Sequence, residues 1–313
     1  MQTCNSLKLF SRASAIRRQL LLCLTSLALL SWIGCGGAAS SSSLPQTQAP
    51  SQPGESSNTP SSGSGTQAAQ TGSSSDSSSG NSSGSQSSLP PGVPGNAVTT
   101  SDIQSLPDWQ WCTAKLNGKP CASGLGDATS SLTPNQQDPS LSGKSSQFTL
   151  GGPTQYSNAL WWKSLDPKNT PMHFVYDLYF YLKHPNYPEA LEFDINQSMH
   201  DVRYTWGTEC SYRDSGHWDI WNPEAEKWET TSVPCPVVSA NDWHHLTWTV
   251  ERMNGQVHYI SVALDGKVSK VDKYYNPQQH WPGESVSVAF QMDGDYRQDP
   301  YTVWLDNVSL LTW

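Results

Sequence analysis

In the run Leu191-Glu192-Phe193-Asp194-Ile195-Asn196, apolar and polar side chains alternate with a period of two. A strand with this pattern turns Leu191, Phe193 and Ile195 into a core and presents Glu192, Asp194 and Asn196 together on the opposite face. Such a row is aimed at a ligand or at solvent, and paired carboxyl groups are also what general acid–base chemistry uses. The same alternation in neighbouring segments puts Asp177 and Tyr179 opposite Phe174, Leu178 and Phe180, and Ser287 and Gln291 opposite Val286, Val288 and Phe290. Arg203 and Thr205 take the equivalent face near Trp206. If these faces line one concave sheet, Glu192, Asp194, Asn196, Asp177, Tyr179, Arg203 and Gln291 form a groove. The alternative is a solvated sheet face with weak cross-strand pairs, each contributing less than about 1 kcal/mol.

Thirteen of the 14 Trp lie beyond Pro107. Aromatic rings offer flat apolar faces that stack on the C–H faces of sugars, although buried Trp is equally at home in a sandwich core. Trp248 is expected in the core. Trp206, Trp218, Trp221 and Trp281 are the candidates for ligand contact, Trp206 foremost.

The Glu192 strand resembles the E-x-D-x-E strand of laminarinase- and lichenase-type glycoside hydrolases, members of the concanavalin A-like lectin and glucanase superfamily. In those enzymes the first Glu is the nucleophile and the last protonates the leaving group. Asn196 stands where that acid would be, and an amide has no proton to give at neutral pH. The resemblance therefore implies a sugar-binding fold more than it implies catalysis. Trp243-His244-His245-Leu246-Thr247-Trp248, with the later Val262-Ala263-Leu264-Asp265-Gly266, is similar to the corresponding strand and turn of laminin-G-like domains. Val303-Trp304-Leu305-Asp306-Asn307-Val308-Ser309-Leu310 resembles the closing strand of carbohydrate-binding jelly rolls.

Other constellations carry less. His244 and His245 point to opposite faces of a regular strand and cannot chelate one ion. Asp293-Gly294-Asp295 and Asp306 offer oxygens suited to a structural calcium, but a calcium loop needs more ligands at fixed positions, so a turn is expected and no cofactor is assigned. No G-x-S-x-G elbow is present in residues 101–313. Of the seven cysteines, Cys112, Cys121, Cys210 and Cys235 fall in the folded part. An even number in an exported domain suggests disulfides, and local pairing, Cys112 with Cys121 and Cys210 with Cys235, closes two compact loops. The spacings lack a C-x-x-C pair, which argues against zinc.

The chain opens with Lys8, Arg12, Arg17 and Arg18, then an apolar run from Leu20 to Ile33, then Gly34-Cys35-Gly36-Gly37. This reads as a bacterial lipoprotein signal over residues 1–34 with Cys35 as the lipid site, the alternatives being an ordinary cleaved signal peptide or an uncleaved anchor, and places the protein in the cell envelope. The segment holds four of the 18 basic residues and none of the 27 acidic ones, so its removal takes the net charge from −9 to −13. An acidic chain without a basic stripe argues against a nucleic-acid partner and leaves lipid as the only route to a membrane. Residues 35–100 are rich in Ser, Gly, Gln and Pro and are expected to form a disordered tether.

Residues 101–313 must position these groups, and they read as one all-β domain, a two-sheet antiparallel jelly-roll sandwich. Strands are expected at Gln147-Leu150, Ala159-Lys163, His173-Leu182, Ala190-Asn196, Val202-Gly207, His217-Trp221, His244-Arg252, Val257-Leu264, Ser285-Met292 and Tyr301-Leu311. Asn254-Gly255, Asp265-Gly266 and Asp293-Gly294 are hairpin dipeptides. Three functions remain open. The first is a non-catalytic glycan-binding surface lipoprotein. The second is a polysaccharide hydrolase, with Glu209 or Asp177 as proton donor, or a lyase using Tyr179, His200 and Arg203. The third is a structural or adhesive surface protein.

Overall fold

The computed structural model describes residues 93–113, 126–166 and 171–313. The signal, Cys35, most of the expected tether and Cys121 lie outside them. Among the described residues the strands are β1 Val98–Thr100, β2 Gln110–Thr113, β3 Thr129–Gln136, β4 Ser145–Gly151, β5 Asn158–Leu165, β6 His173–Leu182, β7 Pro188–Met199, β8 Val202–Trp206, β9 Thr208–Cys210, β10 His217–Asn222, β11 Lys227–Pro234, β12 Trp243–Met253, β13 Gln256–Leu264, β14 Lys267–Tyr275, β15 Gln278–Gln279, β16 Ser285–Gly294 and β17 Tyr301–Thr312. The only helical piece among them is a 3₁₀ turn at Ile103–Ser105.

Two antiparallel sheets form a sandwich, as the alternation requires. One has eight strands in the order β14-β13-β12-β6-β17-β4-β3, with β1 beside β17. The other has nine, in the order β11-β10-β9-β7-β16-β5-β2, with β8 against β7 and β15 against β8. Inward-facing rings interdigitate between them. Phe148 on β4 meets Trp161 on β5 at 5.2 Å and Phe290 on β16 at 5.0 Å, both edge-on. Phe180 on β6 meets Phe193 on β7 at 5.7 Å. Aromatic pairs in these orientations add roughly 0.5–1.5 kcal/mol each beyond their buried area. Tyr259 on β13 also crosses the sandwich, its hydroxyl within hydrogen-bond reach of the carbonyls of Thr205, Gly207 and Trp221 at 3.3, 3.1 and 2.9 Å.

Every strand expected from alternation is present, with ends moved by a few residues. The ones missed include β2, β3, β11 and β14, which are the terminal strands of the two sheet orders. Edge strands are wet along one side, so the rule of apolar inside and polar outside is blurred there. β14 shows this plainly: exposed Val268 is followed by Lys270 and Lys273, a charged edge of the kind that discourages further pairing.

Two of the three hairpin dipeptides are turns: Asn254 and Gly255, and Asp265 and Gly266, have φ of 54° and 76°, and 49° and 78°. Asp293-Gly294 is not. Both residues belong to β16, Asp293 opposite Asn158 and Ala190, and the Gln298 side chain packs so close to Gly294 that a Cβ would not fit. The glycine serves close approach rather than a turn. The hairpin that places the candidate site was not expected from sequence: His200 and Asp201, both at positive φ (52° and 62°), join β7 to β8.

Cys210 and Cys235 form a disulfide, 25 residues apart in sequence with Cα atoms 5.6 Å apart. Closing a loop of that length stabilises a domain by roughly 3 kcal/mol. Cys112 on β2 is also disulfide-bonded.

Candidate functional site

β7 lies inside the nine-stranded sheet, between β16 on one side and β8 and β9 on the other. Leu191, Phe193 and Ile195 face the core. Glu192, Asp194, Asn196 and Ser198 face outward into a groove of about 310 Å³. Register supplies the flanking rows: Gln291 is opposite Glu192, Ala289 opposite Asp194, Ser287 opposite Asn196. Across the other edge Thr205 is opposite Asn196 and Arg203 opposite Ser198. On the far side of β16, Leu160 and Trp162 of β5 face Gln291 and Ala289. Leu160, Ala289 and Cys112 form a small apolar cluster with Trp162 packed against it. The groove thus has a polar lane on β7 and an apolar lane on β5.

Its wall is the segment Trp281–Ser285. β15 pairs with β8 through Gln278 and Arg203, and the Trp281 amide donates to the Asp201 carbonyl at 2.9 Å. That seats the Trp281 ring beneath the Arg203 guanidinium, 4.5 Å from its centroid, a cation–π contact. Arg203 also donates through Nε and Nη2 to Asn196 Oδ1 at 3.3 and 2.8 Å, and Thr205 Oγ1 donates to the same oxygen at 3.0 Å. This wall explains why Glu192, Asp194 and Asn196 are only 5, 4 and 6% exposed although they point away from the core.

The electrostatics are strained. Glu192 accepts a hydrogen bond from Gln291 Nε2, and Asp293 is held by Asn158 Nδ2 at 2.6 Å and Gln291 Nε2 at 3.2 Å. Burial, reinforced by the charges of Asp293, Asp194 and Glu209 and by a hydrogen bond with Asp293, holds Glu192 well above the ordinary carboxyl range. Burial also pushes Asp194 up to about 7; the Thr208 amide, 3.1 Å from Oδ1, and Arg203 pull the other way without prevailing. Arg203 falls to about 10 through burial, partly offset by Asp194. Near pH 7 Asp194 is therefore about half-ionised, and the surroundings of Glu192 favour its protonated form.

Four of the expected site residues, Glu192, Asp194, Asn196 and Gln291, share the groove with Arg203; three do not. Asp177 and Tyr179 lie on β6, in the other sheet, where Asp177 accepts from His245 Nε2 at 2.8 Å and Thr247 Oγ1 at 2.6 Å and Tyr179 stacks on His245 at 4.3 Å. Their alternation is right; the pairing of β6 with β12 and β17 puts them on the wrong sheet. Trp206 is fully buried, tilted against Phe174 at 4.9 Å. With Arg203 and Thr205 facing outward, parity sends Tyr204 and Trp206 inward. Trp218 is likewise in the core, and Trp221 is buried edge-on against Trp228. Of the tryptophan candidates, Trp281 lines the groove.

Residues outside the expected groove set also matter. Trp162 and Ser164 share the outward parity of Leu160, a signal visible in β5 but uninterpretable without its pairing to β16. Asp293 was concealed by its turn-like dipeptide. Glu209 sits opposite Glu192 on β9. Among the other acids, Asp306 is filled by protein donors, among them Ser140 Oγ, Ser142 Oγ and the Leu141 amide, each at 2.6 Å, which outweigh burial and keep it below the usual range. Asp295 takes the Arg297 amide and guanidinium at 2.8 to 3.1 Å.

No family model matches the chain, and no curated protein matches it. Solved structures similar to it include a cellulose-induced protein (12% identity, TM-score 0.39, covering 58% of this chain and 85% of that one). Peanut lectin bound to a nine-residue peptide is similar at 12% identity and TM-score 0.38, covering 60% and 98%. An alginate lyase variant in complex with alginate trisaccharide is similar at 12% identity and TM-score 0.37, covering 57% and 86%. These likenesses do not assign the chain to a family.

Proposed function

We propose that the groove on the nine-stranded sheet is a glycan-binding site without hydrolytic activity, carried on an exported, lipid-anchored protein. The observation that carries the reading is the pairing of two lanes in one groove. Trp162 and Trp281 offer ring faces, while Glu192, Asp194, Asn196 and Gln291 offer directional hydrogen-bond groups beside them. Hydrolysis is disfavoured on two counts. Asn196 cannot protonate a leaving group and its oxygen is held by Arg203 and Thr205. Burial and the carboxyl groups of Asp293, Asp194 and Glu209 favour the protonated form of Glu192, and a protonated carboxyl is a poor nucleophile. A lyase is disfavoured because Tyr179 lies on the other sheet and His200, on the β7–β8 turn, is not among the groove's lining residues.

The test is a glycan array combined with reducing-sugar and unsaturated-uronate assays. Binding without turnover is expected. Trp281→Ala should weaken binding by about tenfold, the scale of one lost aromatic stack, while Trp111→Ala, an exposed ring outside the groove, should not. Turnover abolished by Glu192→Gln would make the protein an enzyme. Silence in every assay would leave an adhesive or structural role.

The anchor rests on Gly34-Cys35 following the apolar run. Cys35→Ser is expected to move the protein from the membrane to the soluble fraction or to leave its precursor unprocessed. A correctly cleaved Cys35→Ser protein still held in the membrane would refute lipidation there.

A further inference from the structure

The groove's ionisable lining is lopsided. Glu192, Asp194 and Glu284 line it, and Arg203 is the single cation among the lining residues. Glu209 and Asp293 add further carboxyl groups beside Glu192. Arg203 is already engaged: Trp281 covers one face, and Nε and Nη2 reach Asn196 and Thr205. A uronate or sulfate entering here would meet acids and one committed guanidinium.

Two polar groups remain open toward the groove. Asp194 Oδ1 takes the Thr208 amide, but Oδ2 receives no hydrogen bond among the described residues, in a side chain more than nine-tenths buried. The Asn196 oxygen is filled by Arg203 and Thr205, while its Nδ2 hydrogens have no acceptor there, in a side chain equally buried. Both residues line the groove, so an acceptor and a donor two residues apart on β7 are left for a ligand's polar atoms. A sugar hydroxyl would satisfy the hydrogen bonds but leave the excess of carboxyl groups over the one guanidinium unchanged. An ammonium supplies donors and the opposite charge together.

Resting on the glycan-binding reading above, we propose that the preferred ligand is a glycan with free amino groups, one ammonium seated on Asp194 and Glu192 with its ring against Trp281. Asn196 Nδ2 then donates to a neighbouring hydroxyl. Because an ammonium favours ionised carboxyl groups, binding releases protons that the empty groove holds. The groups that set this titration are Glu192 on the same strand, Arg203 on β8, Glu209 on β9 and Asp293 on β16, with Tyr176 and Tyr259 from the core side. Affinity rises with pH as Asp194 ionises near 7 and falls again once the sugar amine loses its own proton.

The experiment is titration calorimetry of the full chain at pH 6 and 7.5 with glucosamine hexamer, its fully N-acetylated counterpart, cellohexaose and an oligogalacturonate. The glucosamine hexamer is expected to bind about tenfold or more tighter than the acetylated and neutral hexamers, the scale of one charge-assisted hydrogen bond. At pH 6, where the sugar amine is charged and Asp194 mostly protonated, it should release protons on binding, detected as a dependence of the heat on buffer ionisation enthalpy. Asp194→Asn, and independently Glu192→Gln, should erase the difference between the amine and acetylated ligands. Equal affinity for amine and neutral hexamers, or tighter binding of the uronate, would overturn the amine preference while leaving the groove a glycan site. So would an amine preference that survives both substitutions. Absence of binding to all four, together with a silent array, would remove the glycan reading and this inference with it.

Discussion

Asp194→Asn is expected to stabilise the domain at pH 8 and to flatten its loss of stability between about pH 4 and pH 7. In the unfolded chain this carboxyl ionises near its ordinary value of 3.8, whereas in the groove it does so at about 7. Between those values the native state keeps a proton that the unfolded state has lost. Stability therefore falls as pH rises through the window and levels off above it. A rise of this size corresponds to on the order of 4 kcal/mol at pH 8, a large share of a typical domain's stability. Asparagine fills the same volume, can still accept the Thr208 amide and carries no charge to desolvate. Urea unfolding of wild type and Asp194→Asn at pH 5 and pH 8 measures the effect. Equal pH slopes in the two proteins would show that Asp194 ionises normally. A gain in stability accompanied by loss of ligand binding is the signature of a residue retained for function at the expense of stability.

Trp206→Ala is expected to have the opposite sign and a similar size. The ring is wholly enclosed, against Phe174 and near Tyr204. Removing it leaves a cavity beneath β8, at a cost of about 3–5 kcal/mol. For a domain of this length the melting temperature should fall by roughly 10 °C. Trp206→Phe should recover part of that loss, since the indole Nε1 has no hydrogen-bond partner among the described residues and phenylalanine buries no such donor. An unchanged melting temperature with weakened glycan binding would instead place the ring in the groove.

These two residues show what alternation can and cannot reveal. On β7 it separates core from groove correctly, because both faces are filled and every position obeys the period. The β8 pattern carries the same information: if Arg203 and Thr205 face out, Trp206 faces in, and the chemistry of tryptophan as a sugar platform is no reason to suspend the parity. Asp177 and Tyr179 mark the next limit. Which face a residue takes is local, but which sheet its strand joins depends on partners as distant as β12 and β17. The groove wall is beyond both, since Trp281 reaches Arg203 only because β15 adds to β8 and the Asp201 carbonyl holds the Trp281 amide. Asp293-Gly294 shows the reverse error, a strong local signal overruled by Gln298 packing against the glycine.

The pairing of β1 with β17 has one further consequence. Val98 lies opposite Thr312, so the chain enters and leaves the domain side by side, both in the eight-stranded sheet, while the groove opens on the outer face of the other sheet. Whatever is joined at either terminus of the domain, whether a native segment, a purification tag or a linker to a solid support, meets it on the sheet away from the groove. The domain can be held from behind with its groove left facing outward, an orientation suited to catching extended chains and to immobilised capture of carbohydrate.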